Sequence, residues 1–182
     1  MNRKEAIILM KEHIKTDNLR SHSLAVAAIM EGLAQKLEQN PEKWFITGIL
    51  HDLDFEYTKD EPKKHGFISM DLLKNTDLSD DQRDAILSHT GNSNIVTLLD
   101  KALWASDPLS GLVIAAALMN PAKKVSVLKL KSLKKKFKSK NFAAGANRIQ
   151  IASCKNFGMD LDNFLQLSID SMSKYEKDLG FD

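Results

Sequence analysis

The chain has 182 residues, a mass of 20.4 kDa and a formal net charge of +2 at pH 7. That length suits one good core, and so small a charge argues against a nucleic-acid binder on bulk charge alone. A single cysteine, Cys154, excludes an internal disulfide and any Cys-x-x-Cys zinc pair, which fits a reducing, intracellular setting.

The N-terminus, Met1–Ala6, leads into an amphipathic segment broken by Lys11 and Glu12, with no apolar region of signal-peptide length. His22, Val26, Ile29, Leu33 and Leu37 then fall on one helical face. Asn40-Pro41 opens the next helix, Asn as cap and Pro at the first position, and that helix runs through Trp44, Phe45, Ile49 and Leu50 to end near His51. Asp54–Lys64, with Pro62 and many charges, reads as a loop, and a helix over His65–Leu73 follows. Ser79-Asp80-Asp81-Gln82 is a capping box for a helix carrying Ile86, Leu87 and His89.

Gly91–Asn94 breaks the chain. Ile95–Ala105 and Leu109–Met119 read as separate helices either side of Asp107-Pro108, and Asn120-Pro121 opens another. Asn141–Phe157 and Leu161–Leu179 make two final helices separated by Gly158. No long stretch alternates like a strand, and there is no repeat or dividing linker, so an all-α compact helical bundle in one domain is expected. The longest uncharged apolar run, around Leu109–Met119, is too short to span a bilayer. A soluble, cytoplasmic protein with no membrane partner is the expectation.

Of five histidines, His22, His51, His65 and His89 are spaced through this helical region; only His13 lies outside the series. Asp52 follows His51 directly, and Asp107 ends the apolar run Ala102–Ser106. Imidazole nitrogens with carboxylate oxygens suit Mn, Fe, Co, Ni, Zn or Mg, and a helical bundle can gather such distant side chains at one point. Each residue also has a plainer reading. His22 alone would be a satisfied core histidine, Asp107 an N-cap for a helix starting at Pro108, and His65 and His89 exposed residues at element ends. His51-Asp52 resists that treatment, because two successive ionisable groups after an apolar run are costly to bury unpaired.

His22, His51-Asp52 and Asp107 on successive helices resemble the HD superfamily of metal-dependent phosphohydrolases, over roughly residues 19–110. His65 and His89 resemble the additional histidines of members that hold two ions. In such sites a shared aspartate bridges the metals, and metal-activated water attacks phosphorus. The stretches His51–Glu56, Ala105–Leu112, Pro121–Lys124 and Phe142–Gly145 are similar to a group of predicted HD hydrolases. The resemblance implies an HD core over about 17–120, with a C-terminal helical extension over about 121–182. It also implies a site of His22, His51, Asp52, His65, His89 and Asp107 holding one or two divalent ions. The cyclic-dinucleotide phosphodiesterases of the superfamily carry His-Asp-Ile-Gly-Lys; here Asp54 and Phe55 stand in place of the Gly and Lys.

No Gly-x-Ser-x-Gly elbow or glycine-rich phosphate loop competes with metal-activated water as the chemistry. With Asp52 in the reacting centre, Asp54 and Glu56 are candidates to orient water or protonate a leaving group. Lys63, Lys64 and Arg148 are candidates to contact a substrate phosphate. Nine lysines between Lys123 and Lys140 form either the solvated side of a helix or an electrostatic collar for a polyphosphate. A nucleic-acid surface is a third reading, weakened by the near absence of interleaved aromatics for base stacking, with only Phe137 available, so a nucleic-acid partner is not the expectation. The expected activity is hydrolysis of a phosphoester in a small phosphorylated metabolite, a nucleotide foremost. The competing reading is a non-catalytic nucleotide- or RNA-binding module on the same scaffold.

Overall fold

The computed structural model describes residues 1–181, and these contain helices and turns with no strand among them. The fold is all-α. In chain order the helices are α1 Arg3–His13, α2 Asp17–Lys36, α3 Pro41–Leu50, α4 Phe67–Leu73, α5 Asp80–Ser88, α6 Leu98–Leu118, α7 Leu130–Lys138, α8 Arg148–Ala152 and α9 Leu161–Ser173. Short 3₁₀ turns occupy Phe55–Tyr57, Pro62–Lys64 and Ser153–Phe157. No described helix is long and apolar enough to cross a membrane.

Several helix starts follow local chemistry. The Asn40 side chain accepts from the Lys43 N–H with Pro41 in the first turn, and Ser79 and Gln82 form the reciprocal capping box of α5. Such caps satisfy N–H groups that have no partner inside the helix. Asn2 with Glu5 and Thr97 with Asp100 make two further boxes, at α1 and α6.

The structure departs from the sequence expectations at five places. α6 runs unbroken through Pro108, so Asp107 is a mid-helix residue and not an N-cap. An interior proline costs a helix about 3 kcal/mol. Leu103, Leu109, Leu112 and Val113, all fully buried on both sides of it, are worth about 1.5–3 kcal/mol each, so packing overrides the local break. Asn120-Pro121 lies in a turn. Asn141–Asn147 is irregular, with helix only from Arg148, and the last helix stops at Ser173. α4 starts at Phe67, because His65 and Gly66 are held outside it.

Two apolar clusters organise the helices. One joins α2 and α6 to the C-terminal helices through Ile29, Leu33, Leu103, Leu109, Phe164 and Met172. The other joins α1 and α3–α5 through Met10, Ile14, Phe45, Ile49, Leu73 and Ile86. α2 and α3 lie against each other so closely that a Cβ on Gly48 would come within 2.7 Å of Ala27 Cα. Only glycine permits that approach. It carries the end of α3, and with it His51, up to His22 on α2.

Candidate metal centre

Five elements deliver the six expected ligands to one place. His22 lies in the second turn of α2, His51 caps the C-terminus of α3 with Asp52 next, and His89 caps the C-terminus of α5. His65 follows the 3₁₀ turn at Pro62–Lys64, and Asp107 projects from the middle of α6. Asp52 is at the centre. Its Oδ2 is 3.5 Å from His22 Nε2 and 3.4 Å from His51 Nε2. Its Oδ1 is 3.3 Å from both His65 Nε2 and His89 Nε2. Asp107 Oδ1 joins the Oδ2 side, 3.1 Å from His22 Nε2 and 3.9 Å from His51 Nε2. The carboxylate thus divides the site, with His22, His51 and Asp107 on one side and His65 and His89 on the other.

Each imidazole is fixed from behind through Nδ1. His51 Nδ1 is 2.8 Å from the Gly48 carbonyl, and His89 Nδ1 is 2.5 Å from that of Ile86. A carbonyl only accepts, so these nitrogens carry the proton. His22 Nδ1 is 2.9 Å from Ser110 Oγ, whose own proton goes to the Asp107 carbonyl at 2.8 Å, so Nδ1 of His22 donates as well. His65 Nδ1 donates to Asp54 Oδ1 at 2.8 Å. In neutral form all four rings therefore turn an Nε2 lone pair towards a carboxylate.

Lone pairs facing an anion repel unless positive charge lies between them. Protons can supply part of it. Burial opposes charging His22, yet hydrogen bonds to Asp107 and Asp52 outweigh it and raise its pKa to about 10. Burial likewise opposes His65, but Asp52 and Asp54 raise it to about 9. Burial dominates at His51 and lowers it to about 4, leaving a fully buried Nε2 with no hydrogen-bond partner. Asp52 resists burial through His51 and the hydrogen bonds from its other histidines, which hold it well below the usual carboxylate range. The orphaned Nε2 of His51 and the buried anion are complementary to a divalent cation. Donor atoms of His22, His51 and Asp107, and of His51, Asp52 and His89, approach one another closely enough to share an ion.

The other candidates occupy different positions. Asp54 is completely buried behind His65, its Oδ2 accepting the N–H groups of Gly66 at 2.8 Å and Ser69 at 2.9 Å. Its two oxygens are taken up by His65 Nδ1, Gly66 and Ser69, so its place is that of a support for His65. Glu56 turns away and accepts from the N–H groups of Lys15 and Thr16, both at 3.0 Å, and from the Thr16 hydroxyl. The Thr16 and Lys15 bonds lower its pKa to about 2, so it ties the loop after Asp54 to the α1–α2 turn and is committed there. Lys64 pairs with Glu61, and Lys63 is exposed. Arg148 donates to the carbonyls of Phe137, Phe142, Ala143 and Ala146, and so fastens the chain after α7. These bonds occupy its guanidinium with backbone and leave no fork for a phosphate.

Two supporting residues had no place among the sequence candidates. Ser110 stands three residues after Asp107, on a neighbouring helical face, and that spacing is a signal legible in the sequence. Gly66, at φ 86°, has a Cβ position 2.9 Å from Thr90 Cγ2, a packing demand no sequence pattern announces. Outer partners of this kind are worth about 10–100-fold in metal affinity. Ser110→Ala is therefore expected to weaken metal binding by about that factor, with helix content unchanged. Competition titration against a chromophoric chelator measures it, and wild-type affinity would exclude a supporting role for Ser110.

The open side of the site is marked by Asp107, His22 and His65, whose side chains are 29%, 21% and 19% exposed. Gly111 lies one turn beyond Asp107 on α6, and a Cβ added there meets nothing within 4 Å. A cavity of about 630 Å³ lies elsewhere, between α1, α2 and the C-terminal residues. Its arginines are already engaged, Arg3 by Glu31, Glu42 and Tyr175 and Arg20 by the Ile14 and Lys11 carbonyls.

A protein-family model described as HD domain matches residues 19–119. No curated protein and no solved structure matches the chain.

Proposed function

The chain belongs to the HD domain family, whose members are in general metal-dependent hydrolases, and from that premise we propose that it hydrolyses a phosphoester of a small phosphorylated metabolite, a nucleotide foremost. The core of the domain is taken as about 17–120, with 121–182 as a helical extension of it. The observation that carries the reading is the convergence of four Nε2 atoms on Asp52, each imidazole held from behind in the tautomer that ligates.

His22, His51, Asp52 and Asp107 would hold one divalent ion, and His65 and His89 would hold a second that shares Asp52. Such ions polarise water and phosphoryl oxygen and offset the charge that develops in the transition state. The protein contributes the rest. Asp52 and Asp107 are kept anionic by the surrounding imidazoles, Asp54 and Ser110 fix the rings of His65 and His22, and the buried floor limits solvent to the side of Asp107, His22 and His65. Gly111 leaves room for a substrate beside Asp107. Lys63, exposed two residues before His65, is the remaining lysine for a phosphate contact, and Lys64 serves only when released from Glu61.

A module without a metal ion would gain nothing from a buried, unpartnered Nε2 on His51; an unpaired buried polar atom costs about 1–3 kcal/mol. The test is a panel of nucleotides, phosphomonoesters and phosphodiesters, supplemented in turn with Mn, Fe, Co, Ni, Zn and Mg. Metal content is measured on protein prepared without chelators. Turnover that follows metal content supports the proposal. Stoichiometric metal with tight nucleotide binding and no turnover of any ester would establish the non-catalytic reading.

A further inference from the structure

The metal centre leaves a large feature of the chain unused. From Pro108 to Met159 there is no acidic residue, yet this span holds eleven of the 26 lysines and arginines. The near-neutral total conceals a separation of sign, with the rest of the chain net acidic.

The densest part of this charge lies far from Asp52. α9 runs antiparallel to α2: Gly32 faces Ser171, and Ser21 Oγ donates to the Leu179 carbonyl at 3.3 Å. Lys134 of α7 pairs with Asp162, in the first turn of α9. The neighbouring Asn163 shares a surface with Gln35 and Lys36 at the C-terminal end of α2. His22 is at the other end of α2, about 21 Å away along the axis at 1.5 Å per residue. Screening acts over about 8–10 Å at moderate ionic strength. The α7 lysines are thus too remote to serve as a collar for a small substrate at Asp52.

α7 is strongly two-sided. Leu133 is buried, and Leu130 and Phe137 pack against the main apolar cluster. Lys131, Lys135 and Lys138 are exposed on the outer side, one turn apart in a single stripe. Lys134 is neutralised by Asp162 and Lys136 sits 4.2 Å over the Phe142 ring. Lys131, Lys135 and Lys138 have no acidic partner among the described residues. Like charges at this spacing repel, and a polyanion laid along the stripe relieves that repulsion.

We propose that the outer face of α7 docks the phosphate backbone of a nucleic-acid duplex without reading its sequence. Lysines are point charges that meet phosphate oxygens and position a duplex, whereas sequence is read at base edges. Phe137 is turned into the core, so the face has no aromatic platform on which a single strand would stack. The apolar side of α7 is likewise buried, so the helix has nothing left to enter an acyl layer. Val127 and Ile149, exposed nearby, make an anionic membrane the alternative to exclude.

The experiment is fluorescence anisotropy on the full chain with 20-base-pair DNA and RNA duplexes of two unrelated sequences, in chelator, so that the outcome is independent of the metal centre. Affinity on the order of 10⁻⁴–10⁻⁶ M near physiological salt is expected, similar for both sequences. With about four phosphates neutralised, it should fall roughly a hundredfold between 50 and 200 mM salt. The K131Q/K135Q/K138Q variant should flatten the log–log salt slope by about 2.7. Gln and Lys have similar helix propensity, and an unchanged melting temperature verifies the fold. A K4Q/K15Q/K74Q variant with the same net charge should keep the wild-type slope. Equal losses in the two triple variants would overturn the proposal, as would tighter binding of the corresponding single strand. So would lysine-dependent partition onto phosphatidylserine vesicles without duplex binding.

Discussion

Asp52→Ala is expected to lose essentially all bound metal and to lower hydrolysis by on the order of 10³-fold or more, with the far-UV helical signal close to wild type. Asp52 is the carboxylate that joins both halves of the site: all four Nε2 atoms lie within 3.3–3.5 Å of its two oxygens. Its removal takes a ligand from each half at once: Asp107 still faces His22 and His51, while the Nε2 atoms of His65 and His89 are left with no carboxylate among the described residues. The stabilisation supplied by bound metal is several kcal/mol, and each 1.36 kcal/mol is tenfold in rate, which sets the scale of the loss. The backbone should tolerate the change, because the Asp52 side chain is engaged by imidazoles and, among the described residues, by no backbone group; the helices are held by the two apolar clusters. Metal analysis, turnover and circular dichroism on one preparation give the result. Full retention of metal at wild-type stoichiometry would remove Asp52 from the centre of the site.

The helical class and several boundaries were legible because they rest on local chemistry. Asn40-Pro41 and Ser79–Gln82 carry their caps in adjacent residues, and apolar spacing announces α2 and α3. The break expected at Asp107-Pro108 was not there, since the burial of Leu103, Leu109, Leu112 and Val113 is a tertiary term invisible to a local rule. The grouping of His22, His51-Asp52, His65, His89 and Asp107 was suggested by residue type and by resemblance, while their convergence depends on the α2–α3 approach at Gly48. Direction was the illegible part. Glu56 and Asp54 are two residues apart and both acidic, yet one turns to the α1–α2 turn and the other behind His65. Asp54 precedes the 3₁₀ turn at Phe55–Tyr57 and Glu56 lies within it, and the geometry of that turn is not written in side-chain chemistry. Arg148 shows the same limit: six donor contacts to carbonyls depend on how the chain after α7 folds back.

Asp54→Asn separates two roles that its position after His51-Asp52 leaves open. In the structure Oδ1 holds His65 Nδ1, and Oδ2 accepts two backbone N–H groups, those of Gly66 and Ser69. The asparagine oxygen can keep only one of these arrangements. With that oxygen on His65, the amide N–H₂ faces the N–H groups of Gly66 and Ser69; with it flipped, the amide faces the Nδ1 proton of His65. Either way buried donors oppose each other, and hydrogen bonds to a charged group are worth about 1.5–3 kcal/mol. A lowered melting temperature is therefore expected, together with about 10–100-fold weaker binding on the His65–His89 side of Asp52. The His22, His51 and Asp107 side should be affected little, so metal content in limiting metal should move from two ions towards one. His65→Ala provides the comparison: it should lose the same ion yet keep the Gly66 and Ser69 bonds, and so melt closer to wild type. If Asp54 instead delivered a proton to the leaving group, the Asn variant would keep both ions with wild-type affinity and lose kcat alone. That outcome would overturn its assignment as the support of His65, and metal stoichiometry beside kcat decides between the two.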